Sequence, residues 1–270
     1  MSFRGASAEA YASLRSVLDE QVRGDAEAAG RAGDDLFAVA QLMRREASLR
    51  RVATDVSLPA SAKQGLVRQI LAGRVAAQAA AVVDVAVAHR WTGTRDLPEA
   101  LETLGEVAVV RSTGSDSGRL ADELFVLAQT VNDAPGLRDA LSDPSRSTGD
   151  KVALLQRLLS GRALPATLTL ATQALAGTYR TVTVALATYQ QVAAEVHGEK
   201  VATVKVARPL SDADRQRLTD ALSRQYDREI HLNVVVDPDV IGGIRVEIGD
   251  DVIDGTVVSR LDDARRKLAG

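Results

Sequence analysis

The sequence predicts a mainly α-helical protein: an N-terminal helical bundle region with an internal duplication, followed by a small α/β C-terminal domain. Three observations carry this. Hydrophobic residues make up 46% of the chain but aromatic residues only 3%. Cores must then be filled by Ala, Leu and Val, which suits close-packed helices better than β-sandwiches. A block of sequence recurs 88 residues downstream of itself, the mark of a repeated structural unit. Past Gly198 helical stripes give way to β-branched alternation. At 270 residues there is room for two or three cores, and the expected units are residues 1–111, 112–198 and 199–270.

The first expected helix covers about residues 7–29 and has no twin. Its Tyr11, Leu14, Val17 and Leu18 form an apolar stripe. Such a stripe ordinarily faces the interior. If one edge stays open, a partner helix can lie in the groove, which makes Tyr11, Leu14 and Leu18 candidate partner-binding residues.

The duplication follows. Leu36-Phe37-Ala38-Val39-Ala40-Gln41 stands beside Leu124-Phe125-Val126-Leu127-Ala128-Gln129, and residues 35–74 against 123–162 give 13 identities in 40 ungapped positions. Background residue frequencies would give roughly two or three. The helical stripe recurs as well. Leu36, Val39, Ala40 and Met43 are answered by Leu124, Leu127, Ala128 and Val131, all at i, i+3, i+4 and i+7. Leu66, Val67, Ile70 and Leu71 are answered by Leu154, Leu155, Leu158 and Leu159, and Ala80, Val83 and Val87 by Leu168, Ala171 and Leu175. The offset then falls to 85, pairing Ala100-Leu101 with Ala185-Leu186, so the first copy holds three extra residues around 91–96. Each copy reads as four helices, broken by loops such as 55–60 and 143–149. His89 and Trp91 are expected to finish a helix and cover its end.

The C-terminal part reads as a different fold. Residues 200–206 alternate as a strand, stopped at Pro209. Ser211, with Asp212 and Asp214 behind it, is expected to cap a helix to about Tyr226. Strands are expected over 230–236, ended at Asp237-Pro238, over 244–248 after Gly242-Gly243, and briefly at Val252-Ile253. A last helix is expected over about 256–268, with Val257, Leu261, Ala264 and Leu268 on one face and Arg265, Arg266 and Lys267 at its negative end.

Charge and residue usage exclude several classes. Lys+Arg 33 against Asp+Glu 36 gives a net charge of -3 with no basic run, unlike the basic face of a nucleic-acid binder. No cysteine is present, so disulfides and thiolate ligands are excluded. His89, His197 and His231 lack the paired spacing of a helical metal site. The first residues lack the layout of a signal peptide. The most apolar stretch, residues 75–89, contains Asp84 and falls short of the roughly 20 residues a membrane span needs. No catalytic, cofactor-binding or metal site is expected. The chain is expected to be cytoplasmic unless a partner holds it at a membrane.

One ordered stretch is specific enough to carry a resemblance. It runs Asp237-Pro-Asp-Val-Ile-Gly-Gly-Ile-Arg-Val-Glu-Ile-Gly-Asp-Asp-Val-Ile-Asp-Gly-Thr-Val-Val-Ser-Arg-Leu261. The order is Asp237, then Ile241-Gly242-Gly243-Ile244, an alternating strand, Asp254-Gly255-Thr256 and a helix holding Leu261. This resembles the C-terminal motif of the F-type ATP synthase delta family, whose mitochondrial member is the oligomycin-sensitivity-conferring protein. The upstream helices fit the family's layout, as does Tyr11-Ala12. Structural roles explain the motif beside the resemblance. Gly242 and Gly243 permit a positive φ or a bulge, and Asp254-Gly255 makes a tight turn. Gly242-Gly243-Ile244 lacks the Lys and Ser/Thr of a phosphate loop.

The resemblance implies a non-catalytic stator subunit. It implies that the helical region grips the N-terminal segments of the alpha subunits atop the catalytic head. The C-terminal domain would hold the C-terminus of the peripheral stalk's b subunit. Membrane association would then be indirect, peripheral and on the cytoplasmic face. One departure matters: helices that occur once in the usual family member occur twice here, as in the long delta subunits of high-GC Gram-positive bacteria. Some of those are fused to a stalk-type membrane helix, and without one here the stalk is expected to be a separate chain. Two rival classes are weaker. An enzyme would have to work through Asp250, Asp251 and Asp254, which sit in an expected solvated turn. A free-standing helical adaptor would leave the C-terminal motif unexplained.

Overall fold

The structure, a computed structural model, describes residues 3–176, 178–196, 198–238, 240, 242–249 and 251–256. Helix α1 (Ala6–Gln21) opens the chain, followed by α2 (Ala26–Arg45), α3 (Ala47–Thr54), α4 (Ala60–Leu71), α5 (Ala77–Ala88) and α6 (Asp96–Arg111). After a 3-10 turn at Gly114–Asp116 come α7 (Ser117–Asp133), α8 (Pro135–Ser142), α9 (Thr148–Leu159), α10 (Pro165–Gln173) with a 3-10 turn at Ala174–Ala176, and α11 (Val182–Val196). The remainder is β1 (Lys200–Val206), α12 (Asp212–Tyr226), β2 (Ile230–Val236), β3 (Ile244–Ile248) and β4 (Asp251–Asp254). The expected last helix and its Leu261 lie outside the described residues.

Two helix expectations are corrected. The single helix over 7–29 is two, because Gly24 takes φ 74 and Asp25 begins a new helix, its carboxylate accepting the Ala28 N–H at 2.8 Å. That is an αL residue followed by an N-cap, and together they stop one helix and start another. Each copy also holds five helices rather than four. The extra ones, α3 and α8, are only eight residues long, too short to show a period of their own. A non-helical Glu46 (φ -96, ψ 84) separates α3 from α2, and an extended Ala134 before Pro135 separates α8 from α7.

The duplication is written into the backbone. Every helix boundary from Ala47 to Ala88 recurs 88 residues later, from Pro135 to Ala176, counting the 3-10 turn as the end of α10. Local bonds repeat with it. Asp55 accepts from the backbone and hydroxyl of Ser57 at 2.8 and 2.7 Å, and Asp143 does the same for Ser145 at the same distances. Arg50 donates to the Arg44 carbonyl at 3.0 Å, and Arg138 to the Asn132 carbonyl at 3.3 Å. In each copy one long pair dominates the packing, α2 on α6 in the first and α7 on α11 in the second.

Three apolar clusters result. Leu14, Leu36, Val83, Leu101 and their neighbours fill the first, among α1 to α6. Leu124, Leu155, Leu170 and Leu186 fill the second, among α7 to α11, and Phe37 of α2 with Val109 and Val110 of α6 belongs to it too. Where α2 crosses α6 the backbones nearly touch. A Cβ on Gly105 would stand 2.7 Å from the Phe37 ring and 3.1 Å from the Gly33 carbonyl. Trp91 closes the end of α5, its Nε1–H donating to the Ala86 carbonyl at 2.9 Å. His89 Nε2 lies 3.2 Å from the Ser13 hydroxyl, tying α5 to α1.

The third cluster is the C-terminal unit. Its strands appear in the order β2-β1-β3-β4, with β1 parallel to β2 and antiparallel to β3, and β3 antiparallel to β4. Alternation puts Ala202, Val204, Val206, Ile230 and Leu232 on one side, under Leu222 of α12. The Ser211 hydroxyl accepts the Asp214 N–H at 3.1 Å and donates to its carboxylate at 2.6 Å, starting α12 where the sequence places it.

Candidate functional site

The C-terminal motif gathers at one end of this sheet. Parallel pairing brings the ends of β1 and β2 together, and antiparallel pairing adds the start of β3 and the end of β4. There the Asp237 N–H donates to the Val206 carbonyl at 2.8 Å, and the Asp237 carbonyl accepts from Val240 at 3.1 Å, turning the chain out of β2. Ile244 pairs with Val206 and its carbonyl accepts the Gly255 N–H at 2.9 Å. Gly243 sits at φ 83, and a Cβ there would fall 2.3 Å from the Gly255 carbonyl oxygen. A glycine is required on both counts. Asp254 accepts from the Thr256 N–H at 3.0 Å and its hydroxyl at 2.7 Å, and these bonds hold its carboxyl below the usual carboxylate range. Gly242 is half-buried beside Gly243, and Ile241 lies outside the described residues.

The first helix presents less than its stripe suggested. Leu14 and Leu18 have 0% exposure and belong to the first cluster, so neither offers surface to a partner. Tyr11 is half-buried, its ring 5.0 Å from that of Phe3. The partly open residues of this stripe are Tyr11 and Val17.

Two polar joints connect the three clusters, and sequence reasoning missed both. The first lies on α6. Glu102 is 2% exposed; one of its oxygens is ion-paired to Arg44 of α2, and the other accepts from Gln173 at 2.6 Å and Thr178 at 2.7 Å. One turn on, Glu106 is 1% exposed and accepts from the Tyr179 hydroxyl at 2.9 Å. Burial pushes its carboxyl up to about 8, against the smaller opposing effect of the Tyr179 bond. The Tyr179 ring meets Tyr189 edge-on at 5.6 Å, and burial raises both phenols. The second joint binds the sheet to α7 and α11. Gln190 donates to Asn233 at 2.9 Å, with both residues buried. His231 Nε2 lies 3.1 Å from Asp122 and its Nδ1 3.8 Å from Glu199. The signals were in the sequence: two carboxylates one turn apart in an apolar helix, and an Asn inside an apolar strand. A buried polar group without a local partner implies a distant one.

A third missed pair repeats between copies. Asp35 accepts the Ala76 N–H at 2.6 Å at the start of α5, and Glu123 accepts the Leu164 N–H at 2.8 Å at the start of α10. Both are acids satisfying a free N–H at a helix start.

Among the described residues no group of three or more His, Cys, Asp or Glu is placed to hold a metal ion, and no helix is long and apolar enough to cross a membrane.

Comparison with known proteins agrees with this architecture. The sequence profile of the family described as ATP synthase delta (OSCP) subunit matches residues 107–268, from the end of α6 through the second copy and the C-terminal unit. Proteins named ATP synthase subunit delta match over the whole chain. One from a Nocardioides species is 57% identical, covering 100% of this chain and 98% of its own. One from Kineococcus radiotolerans is 43% identical and one from Streptomyces coelicolor 41%, each covering 98% of both chains. The likeness therefore includes the first helical copy, which the family profile leaves out, and the chain belongs to the ATP synthase delta (OSCP) subunit family.

Proposed function

We propose that this chain ties the catalytic head of an F-type ATP synthase to its peripheral stalk and performs no chemistry itself. The observation that carries the reading is full-length kinship with delta subunits, set on a chain whose notable residues shape turns and joints rather than a reactive centre. Residues 1–111 and 112–198 form the helical part that grips the N-terminal segments of the alpha subunits. Residues 199–270 hold the C-terminus of the b subunit, next to the Gly243 and Asp254 turns. The chain is held peripherally at the cytoplasmic face of the cell membrane through these partners. Two modest interfaces on one body give a tight overall link, because the second contact forms intramolecularly. The link keeps the head from turning with the rotor, so torque reaches the catalytic sites.

A pull-down from detergent-solubilised bacterial membranes tests this. The tagged full chain should recover alpha, beta and b subunits, whereas a chain lacking residues 199–270 should keep alpha and beta and lose b. Recovery of no ATPase subunit by either form would sink the reading in favour of a free-standing adaptor.

A further inference from the structure

We infer that the second helical unit, α7 to α11, is a splint that fixes the first helical unit to the C-terminal sheet, so that the chain moves as one body without an internal hinge. The inference deepens the stator reading and rests on it for its purpose, but the geometry stands by itself. Units joined by short links and sparse contacts move relative to one another by default. Here each boundary is crossed by at least one hydrogen bond made by a buried side chain.

At the first boundary Glu102 joins Arg44 of the first unit to Gln173 and Thr178 of the second. Tyr179 adds a bond to Glu106. Phe37 leaves the first unit's core to fill the second's. Sliding the units apart would strip buried polar groups of partners, which costs more than the bonds themselves contribute. At the second boundary Gln190 and Asn233 make the same demand, and His231 Nε2 faces Asp122 of α7 at 3.1 Å. The covalent link is closed too. Gly198 takes φ 78 as the αL residue after α11, its N–H donating to Glu195 at 3.0 Å while that of Glu199 reaches the Ala194 carbonyl at 2.9 Å. The Gly198 and Glu199 bonds back to α11 come directly before β1. The duplicated unit thus lengthens the link without softening it.

The test is a pair of distance distributions on the isolated full chain. The chain has no cysteine of its own, so spin labels can be placed through Ala62→Cys with Ala221→Cys, and through Ala62→Cys with Ser142→Cys, all at exposed positions. Pulsed electron resonance should give one narrow peak for each pair. Gln190→Ala with His231→Ala should widen the Ala62–Ala221 distribution by about twofold or more, as expected of a released domain pair, and leave Ala62–Ser142 unchanged. If that double variant loses its helical circular dichroism, Gln190→Leu with Asp122→Ala decides, since leucine refills the core without the amide and the Asp122 side chain is 63% exposed. A broad or two-peaked distribution in the unaltered chain overturns the splint, as does an unchanged width in folded joint variants. Because the measurement uses no partner, a rigid chain that recovers no ATPase subunit would fail the stator reading alone.

Discussion

Glu106→Gln isolates the energetics of the first joint. Glu106 is 1% exposed, on a helix buried along most of its length. Its Oε1 accepts from Tyr179, while Oε2 has no hydrogen-bond partner among the described residues. Burial therefore favours the neutral acid, and the folded carboxyl titrates near 8 against an ordinary 4.5. The sign follows from linkage. Between those two values the folded chain holds a proton that the unfolded chain has released, so stability falls as pH rises. The advantage is full below 4.5 and gone above about 8. At 1.36 kcal/mol per pH unit the upper bound is about 5 kcal/mol, and local relaxation brings it to about 2–4 kcal/mol. Glutamine has the same size and still accepts from Tyr179, but it has no proton to lose. The two proteins should unfold at similar urea concentrations near pH 5, and the variant about 1 M later near pH 9. Far-UV circular dichroism during urea titration reads this directly. All other titrating groups are common to both chains, so only their difference matters. Parallel pH profiles would refute the argument that Glu106 is buried and neutral.

Three further substitutions probe the helical units. Gly105→Ala puts a Cβ 2.7 Å from Phe37 at the α2–α6 crossing and should cost about 1–3 kcal/mol; equal urea midpoints would show that the helices can separate freely there. Asp35→Ala and Glu123→Ala each leave a helix-start N–H without its carboxylate. Each should cost about 1 kcal/mol, adding when combined because they lie in different copies; a loss confined to one copy would show that the repeated caps are not equivalent.

Much of this fold could be read locally. Strands β1, β2 and β3 and helix α12 follow from alternation and from one Ser–Asp cap, all within a few residues of each other. The repeat was legible because core positions vary slowly: Leu36 and Leu124 both have 0% exposure. What escaped was set by distance or by brevity. Helices α3 and α8 are too short for a periodic signal, and the α1–α2 break rests on Gly24 and Asp25 alone. The Tyr11 stripe faces the interior, as such stripes ordinarily do, and packing against α5 and α6 buries its Leu14 and Leu18 completely; how much of its edge stays open is set by those distant helices. Arg44 and Glu102 are 58 positions apart and Gln190 and Asn233 43, so no local pattern pairs them.

The copies also show how a duplicated unit becomes part of one body. Positions facing each copy's own core repeat, as do the Asp55–Ser57 and Asp143–Ser145 turns. Positions that join different units do not. With the offset of 85 that aligns α6 and α11, Glu102 corresponds to Ala187, Glu106 to Gln191, and Gln190 to Gly105. The first copy's last helix turns two buried carboxylates toward the second copy, and the second copy's last helix turns a glutamine toward the sheet. Equal outer faces would let each copy dock in the other's place, since specificity requires a mismatch as well as a match. The divergence at 102, 106 and 190 fixes the order of the three units, because a buried carboxylate or amide in the wrong joint would be left unpaired.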